Sequence, residues 1–361
     1  MAIWLEWLDG FLPHDEYKFL GKNHPSIQPF ISMKKILNQL FEHRKLSRAQ
    51  SREVLTNIAN GVYNDSQIAA FLTVYLMRSI SVEELAGFRE ALLDLCIKVD
   101  LDGTPAIDLC GTGGDGKNTF NISTLASFVA AGAGAKVAKH GNYGVSSVCG
   151  SSNVMEKLGY TFKSDPSQLR KEMDQAGICF LHAPMFHPAM KNVAPVRRAL
   201  GVKTFFNMLG PLVNPAFPSA QCTGVFSLEL GRIYRYLLQE TDRKFAIVHT
   251  LGGYDEVSLT DRTAHLTNDG EGMLTPADFG GSVTPDDIHG GETVEDAAKI
   301  FIQVLEGNGS AAQNRVVVAN AALALQTYGL AESLENCMAA AEESLMSGKA
   351  MGVLKKLINL N

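Results

Sequence analysis

From Met33 onward, apolar residues recur at helical spacing: Ile36, Leu37, Leu40 and Phe41 share one face of a predicted helix. Three more helices follow. Ser47 caps a segment running to Gly61, and Asp65 or Ser66 caps Gln67 to Arg78. Ser81-Val-Glu-Glu84 is a capping box opening a helix toward Cys96. Four short helices with brief loops predict a small helical unit over about 33–100. The stretch before it, 1–32, is aromatic and irregular, with Pro13, Pro25 and Pro29, and reads as an extension of unassigned role. After Asp100-Leu-Asp-Gly103 the texture changes. Strand-like runs, Ala106–Cys110, Lys136–Lys139, Cys179–His182 and Phe245–His249, alternate with helical stretches. Those stretches are Ser123–Ala133, Ser151–Leu158, Pro166–Ala176, Gly231–Leu238, Val294–Glu306, Ala311–Thr327 and Leu334–Ser344. Such alternation predicts an α/β domain over 101–361, with a mainly parallel central sheet wrapped by helices. The basic helical segment near 187–201 is expected to fold back onto the first unit.

Composition narrows the class. The 361 residues are 46% hydrophobic and 19% charged, which suits a globular protein with a sizeable core. Net charge is 32 − 38 = −6, so nonspecific nucleic-acid binding is disfavoured. No stretch reaches 18 uninterrupted apolar residues, so no membrane span is expected. The first residues carry no basic n-region of a signal peptide. The six cysteines form no C-x-x-C pair and read as buried thiols of a cytoplasmic protein.

The candidate chemistry begins at Asp108-Leu-Cys-Gly-Thr-Gly-Gly-Asp-Gly-Lys117. An apolar run enters a loop with four glycines in six residues, Gly111, Gly113, Gly114 and Gly116, and an alanine-rich helix follows. Glycines let the backbone approach a ligand, and the N–H groups of the next helix attract an anion. The loop fits the dinucleotide pattern G-x-G-x-x-G, but the region about 20 residues on is basic, Lys136-Val-Ala-Lys-His-Gly141. It also fits G-x-x-x-x-G-K, but Asn118 stands where a Walker loop needs Ser or Thr. A phosphate or pyrophosphate site of another kind remains.

Four further groups stand beside it. Asn121-Ile-Ser-Thr124, at the helix start, either caps the helix or faces a phosphate or metal. Lys139-His-Gly-Asn142 leaves a strand end, where α/β sheets bind ligands. In His187–Arg198, either Arg197 or Arg198 is able to grip a carboxylate in bidentate fashion, the alternative being a solvated helix face. Asp255-Glu256 follows a strand and a glycine turn. Adjacent acids are commonly surface residues, yet here they suit magnesium. The residues alone therefore reach a magnesium-dependent enzyme acting on a phosphorylated substrate.

Taken together, Gly111-Thr-Gly-Gly-Asp115, Asn121-Ile-Ser-Thr124, Lys139-His-Gly-Asn142, His187-Pro-Ala-Met190, Val196-Arg-Arg198, Phe206–Pro215 and Asp255-Glu256 resemble anthranilate phosphoribosyltransferase. The likeness runs from about Met33 to the C-terminus. It implies transfer of the phosphoribosyl group of phosphoribosyl pyrophosphate to the amino group of anthranilate, in tryptophan biosynthesis. It implies a homodimer through the helical domain. Gly111, Gly113, Gly114, Asp115, Thr119, Asn121, Ile122, Ser123, Thr124, Lys139, His140, Gly141, Asn142, Ser146, Ser147 and Ser151 would hold the sugar pyrophosphate. Gly111, Asn142 and Arg197 would contact anthranilate, with His140 and Pro211 nearby. Ser123, Asp255 and Glu256 would serve two Mg2+ ions. No obligatory general base is implied, because an aniline nitrogen is neutral at pH 7, though His140 is a candidate. Tyr143 departs from the family's usual Arg, and Ser152-Asn153 from its usual Ala-Asp. A pyrimidine nucleoside phosphorylase and a non-catalytic nucleic-acid-binding relative share the resemblance more distantly.

Overall fold

Side-chain caps set the N-terminal helices. In the computed structural model, which describes residues 31–144 and 148–360, these are α1 (Met33–Phe41), α2 (Arg48–Ala59), α3 (Asp65–Met77) and α4 (Val82–Leu95). Ser47, Asn64 and Ser81 each cap the next helix and are capped in return by Gln50, Gln67 and Glu84. The cap of α3 is thus Asn64, not Asp65 or Ser66. Asn64 has the glutamine three positions on, while Asp65 lies inside the first turn, where its charge suits the helix dipole.

Glu84 does more than cap. Its buried carboxylate accepts from the backbone of Leu46 and Ser81, the hydroxyls of Ser81 and Tyr75, and both terminal nitrogens of Arg78. Glu84→Ala would leave the Arg78 cation without its partner, so the fold should lose on the order of 3–5 kcal/mol. Burial alone would raise the Glu84 carboxyl, but the Arg78, Leu46 and Ser81 hydrogen bonds outweigh it and hold it below the usual range. The carboxylate therefore stabilises the fold above the ordinary glutamate pKa and loses that contribution as pH falls through the depressed value. Urea titrations should show a large deficit for Glu84→Ala at pH 7 that shrinks near pH 3. An equal deficit at both pH values would contradict this account.

The larger unit is a seven-stranded sheet of order β3-β2-β1-β4-β5-β6-β7. The strands are β1 (Ile107–Leu109), β2 (Val137–Gly141), β3 (Ile178–His182), β4 (Ala220–Gly224), β5 (Lys244–Thr250), β6 (Thr263–Thr267) and β7 (Glu271–Leu274). Pairings through β5 are parallel, and β6 and β7 add antiparallel. The expected mainly parallel sheet and its four apolar strands are present. Three strands escape the hydrophobic pattern. Central β4 reads Ala-Gln-Cys-Thr-Gly, buried through hydrogen bonds rather than an apolar run; β6 alternates polar residues with buried Ala264 and Leu266, and β7 is an exposed edge strand.

Helices α5 (Ile122–Gly132), α6 (Ser151–Lys157), α7 (Pro166–Ala176), α10 (Leu228–Gln239), α11 (Val294–Leu305), α12 (Ala311–Tyr328) and α13 (Leu334–Met346) flank the sheet. A last helix absent from the sequence reading, α14 (Lys349–Asn359), restarts after Gly348 at φ 78° and buries Met351, Val353, Leu354 and Leu357. Segment 183–200 contains α8 (Ala183–Phe186), a 3₁₀ turn at Pro188–Asn192 and α9 (Ala194–Leu200). Its Ala189, Val193 and Val196 enter the same core as α1–α4, which continues under α10, β5 and β6. Among the described residues, no helix is long and apolar enough to cross a membrane, and all six cysteines are free.

Chain order reverses between β1 and β4: β2 and β3 follow to one side, β5 to the other. Ligands bind beyond strand ends at such a switch point.

Candidate active site

The glycine loop leaves β1 at that switch point and returns at Asn121. Gly113, Gly114 and Gly116 all have φ between 60° and 79°, a range that residues with a Cβ rarely adopt. Beside it, Gly224 ends β4. A Cβ there would lie 1.3 Å from the carbonyl oxygen of Asp255, so only glycine admits the approach. The two strand ends thus close on Asp255.

The start of α5 is open. Eight other helices have a side-chain cap on their first turn, but Asn121 makes none. Its amide instead donates to the Cys149 carbonyl at 2.9 Å. The capping alternative therefore fails, and the Ser123 hydroxyl and the helix N-terminus face the cavity. Two backbone N–H groups there, on Ile122 and Ser123, have no partner among the described residues. The Ile122 side chain points into the core, so only its backbone is available to a ligand.

Three carboxylates gather opposite. Asp255 accepts from Gly113 N at 2.7 Å, its own N–H donates to Asp115 at 3.4 Å, and the Thr119 hydroxyl donates to Glu256 at 3.3 Å. Asp255 is buried, so the alternative of a plain surface acid fails there: the strand ends carry it inward. Burial and then the charge of Asp115 push the Asp255 carboxyl up to about 7. Burial and then Asp255 push Glu256 well above the usual range. Neither acid has an ion-pair partner among the described residues, so their repulsion is only weakly offset, by the more distant charge of Lys139 on Glu256. Lys139 is buried in the same cavity, and its Nζ donates to the Leu109 carbonyl at 2.5 Å. Burial lowers its pKa.

The far wall has different chemistry. Arg197 lines the cavity over the Phe206 ring, 5.4 Å from its centroid, and donates to the Asn207 side chain at 3.2 Å. Its Nε is buried without a partner, and burial lowers its pKa. Arg198, the next residue on the helix, is exposed and does not line the cavity. His140 Nδ1 lies 3.0 Å from the Gly210 carbonyl, which can only accept, so Nδ1 carries the proton and Nε2 is a bare, buried acceptor. Burial pushes its pKa down to about 3, so the ring is neutral at pH 7. Asp108, Cys110 and His140 cluster closely, but Asp108 is already engaged by His140 N and Asn214.

One cavity collects Gly111, Gly113, Gly114, Asp115, Thr119, Asn121, Ser123, Thr124, Lys139, His140, Gly141, Asn142, Ser151, Arg197, Pro211, Asp255 and Glu256. Ser146 and Ser147 lie outside the described residues. Phe206, Asn207, Gly210 and Lys117 also line it. No periodicity marks them, because 3₁₀ turns and loops carry the first three. The departures are tied together. The Tyr143 hydroxyl donates to Glu156 at 2.7 Å and its ring edge packs on His182, which Ser152 hydrogen-bonds at 2.8 Å. Asn153 accepts from Gly144 N and Gly150 N, both at 3.0 Å, doing as an amide what a carboxylate acceptor would do.

Comparisons with known proteins agree with this layout. Residues 34–96 match the description "Glycosyl transferase family, helical bundle domain", and residues 103–351 match "Glycosyl transferase family, a/b domain". A curated anthranilate phosphoribosyltransferase of Flavobacterium psychrophilum is 60% identical over 330 residues, covering 91% of this chain and 100% of the relative. The Thermus thermophilus anthranilate phosphoribosyltransferase structure superposes with a TM-score of 0.84 at 32% identity, covering 90% of this chain and 98% of that one. The Saccharomyces cerevisiae enzyme, solved in complex with phosphoribosyl pyrophosphate and magnesium, gives 0.84 at 28% identity, covering 91% and 97%.

Proposed function

The chain belongs to the anthranilate phosphoribosyltransferase family and transfers the phosphoribosyl group of phosphoribosyl pyrophosphate to the amino group of anthranilate, releasing pyrophosphate, and on that premise we propose how its side chains divide the task. The observation that carries the reading is the polarity of the cavity. A carboxylate cluster and an open helix N-terminus stand on one side, and a half-buried, acid-free Arg197 on the other.

The sugar pyrophosphate lies against the glycine loop, the α5 N-terminus and Lys139, which together offer N–H groups and positive charge. Hard oxygen donors without a protein cation suit magnesium, so Asp115, Asp255, Glu256 and Ser123 would hold it. The donors fall in two sets, Asp255 with Asp115 and Glu256 with Thr119, which favours two ions. When bound, magnesium supplies positive charge beside the departing pyrophosphate. Arg197 holds the anthranilate carboxylate, and Asn142 and Pro211 flank the ring. The amine nitrogen forms its bond to ribose C1 as the C1–oxygen bond to pyrophosphate breaks. The nitrogen's proton leaves afterwards, and His140, whose Nε2 has no partner among the described residues, is the candidate to accept it. Positioning supplies much of the rate. The reading is tested by loss of anthranilate fluorescence on mixing protein, anthranilate, phosphoribosyl pyrophosphate and magnesium. No loss, with the protein folded, would refute it.

The exposed apolar side chains Phe41, Leu76 and Met77, at the ends of α1 and α3, support a homodimer through the helical unit. Met77→Glu is expected to yield monomers in sedimentation velocity while the parent sediments as a dimer. The free thiols support a cytoplasmic location. Chemistry should not need the leader. Ile31 is already anchored, its N–H to Glu53 and its carbonyl to the Tyr63 hydroxyl. A chain begun at Ile31 should therefore keep full turnover. A folded but inactive product would assign the leader a role.

A further inference from the structure

The acceptor wall Met208–Leu212 is held from behind by side chains of separate elements. Its Met208 carbonyl accepts from the Tyr234 hydroxyl of α10, its Gly210 carbonyl from His140 of β2, its Pro211 carbonyl from Gln221 of β4 and its Leu212 carbonyl from Arg89 of α4. Gln221 differs from the others because it is itself oriented. It is fully buried, and its Oε1 accepts from Arg243 Nη1 at 2.6 Å. Its Nε2 donates to the Pro211 carbonyl at 2.5 Å and to the Thr223 hydroxyl at 2.6 Å. An amide has two nearly isosteric ends, and partners decide which faces where. Arginine can only donate, and a carbonyl can only accept. The pair therefore locks the NH2 end onto Pro211. Arg243 is buried and has no carboxylate partner among the described residues, so its main fixed acceptor is this amide. Gln221 does not line the cavity, whereas Pro211 does.

We propose that Gln221, oriented by Arg243, is a positioning residue that sets the Pro211 face of the acceptor pocket and with it the discrimination among anthranilates. This rests on the reading of Pro211 as an acceptor-side residue. Gln221→Glu separates position from stability. The carboxylate keeps the Arg243 partnership as an ion pair but sets an oxygen against the Pro211 carbonyl, so Pro211 must move. The Michaelis constant for anthranilate should rise roughly tenfold, the scale of one lost buried hydrogen bond. That for phosphoribosyl pyrophosphate should stay within about twofold, and the melting temperature should not fall, because a buried Arg gains a counter-charge. The preference for anthranilate over ring-methylated anthranilates should narrow. Should that variant not fold, the same split is read on Arg243. Arg243→Lys keeps a donor at the amide oxygen and should leave both constants near the parent's, while Arg243→Met should raise that for anthranilate alone. Unchanged constants, or a rise in both together, would overturn the proposal. Failure of the unsubstituted protein to consume anthranilate would instead overturn the functional reading.

Discussion

Asp255→Asn should lower turnover by about two to three orders of magnitude, the scale seen when one preorganised electrostatic stabiliser is lost, yet leave a magnesium-free protein more stable than the parent. The reason is the crowding of Asp115, Asp255 and Glu256 in one cavity, none of them with an ion-pair partner among the described residues. Removing one negative charge relieves repulsion and desolvation in the metal-free fold. Asparagine keeps an oxygen for Gly113 N, so the loop is retained. Asp255→Ala lacks that oxygen and leaves the N–H orphaned, at a cost of about 1–3 kcal/mol. Thermal unfolding in EDTA and in magnesium reads both effects. The Asn variant should melt a few degrees higher in EDTA, at roughly 2–4 °C per kcal/mol, and should show little further gain with magnesium. A variant that turns over normally, or that still gains as much from magnesium as the parent, would remove Asp255 from the metal-binding set.

The second large effect is expected at Arg197. A planar guanidinium can fix the anthranilate carboxylate with two parallel hydrogen bonds, a geometry that lysine cannot copy. Arg197 sits in the cavity with an unpartnered Nε, while Arg198 is exposed to solvent. Losing such a charge-assisted contact costs about 1.5–3 kcal/mol, or roughly 10- to 150-fold at about 1.4 kcal/mol per decade. Arg197→Ala should therefore raise the Michaelis constant for anthranilate by that factor and change that for phosphoribosyl pyrophosphate little. Arg197→Lys should recover little. Arg198→Ala should behave like the parent. An anthranilate defect confined to the Arg198 variant would reverse the assignment.

Sequence patterns disclosed the elements whose signals are local. The cap at Ser47, the capping box at Ser81, the helical periodicity of the first unit and the apolar runs of β1, β2, β3 and β5 are all short-range features, and each became the element it announced. The glycine loop was legible for the same reason: positive φ and close approach select glycine residue by residue. The family's motifs then tied the loop to a chemistry. Strand β4 was silent, because a strand buried by Gln221 and Thr223 hydrogen bonds has no apolar run to show.

What the chain alone left open were choices between equivalent local readings. Asn121 was equally suited to cap α5 or to leave it open, and only the Cys149 carbonyl, 28 residues away, drew its amide off. Arg197 and Arg198 were interchangeable until α9 packed Val196 inward, which turned one guanidinium to the cavity and the other to water. Asp255 was open to two readings, a surface acid or a magnesium donor, until Gly224 let the end of β4 close over it. The sequence by itself thus determined the locally signalled elements, their class and the chemistry they carry, because hydrogen bonding and side-chain periodicity act over a few residues. The tertiary structure decided which polar groups lose water and which charges face one another, because burial and Coulomb repulsion depend on distances between residues far apart in the chain.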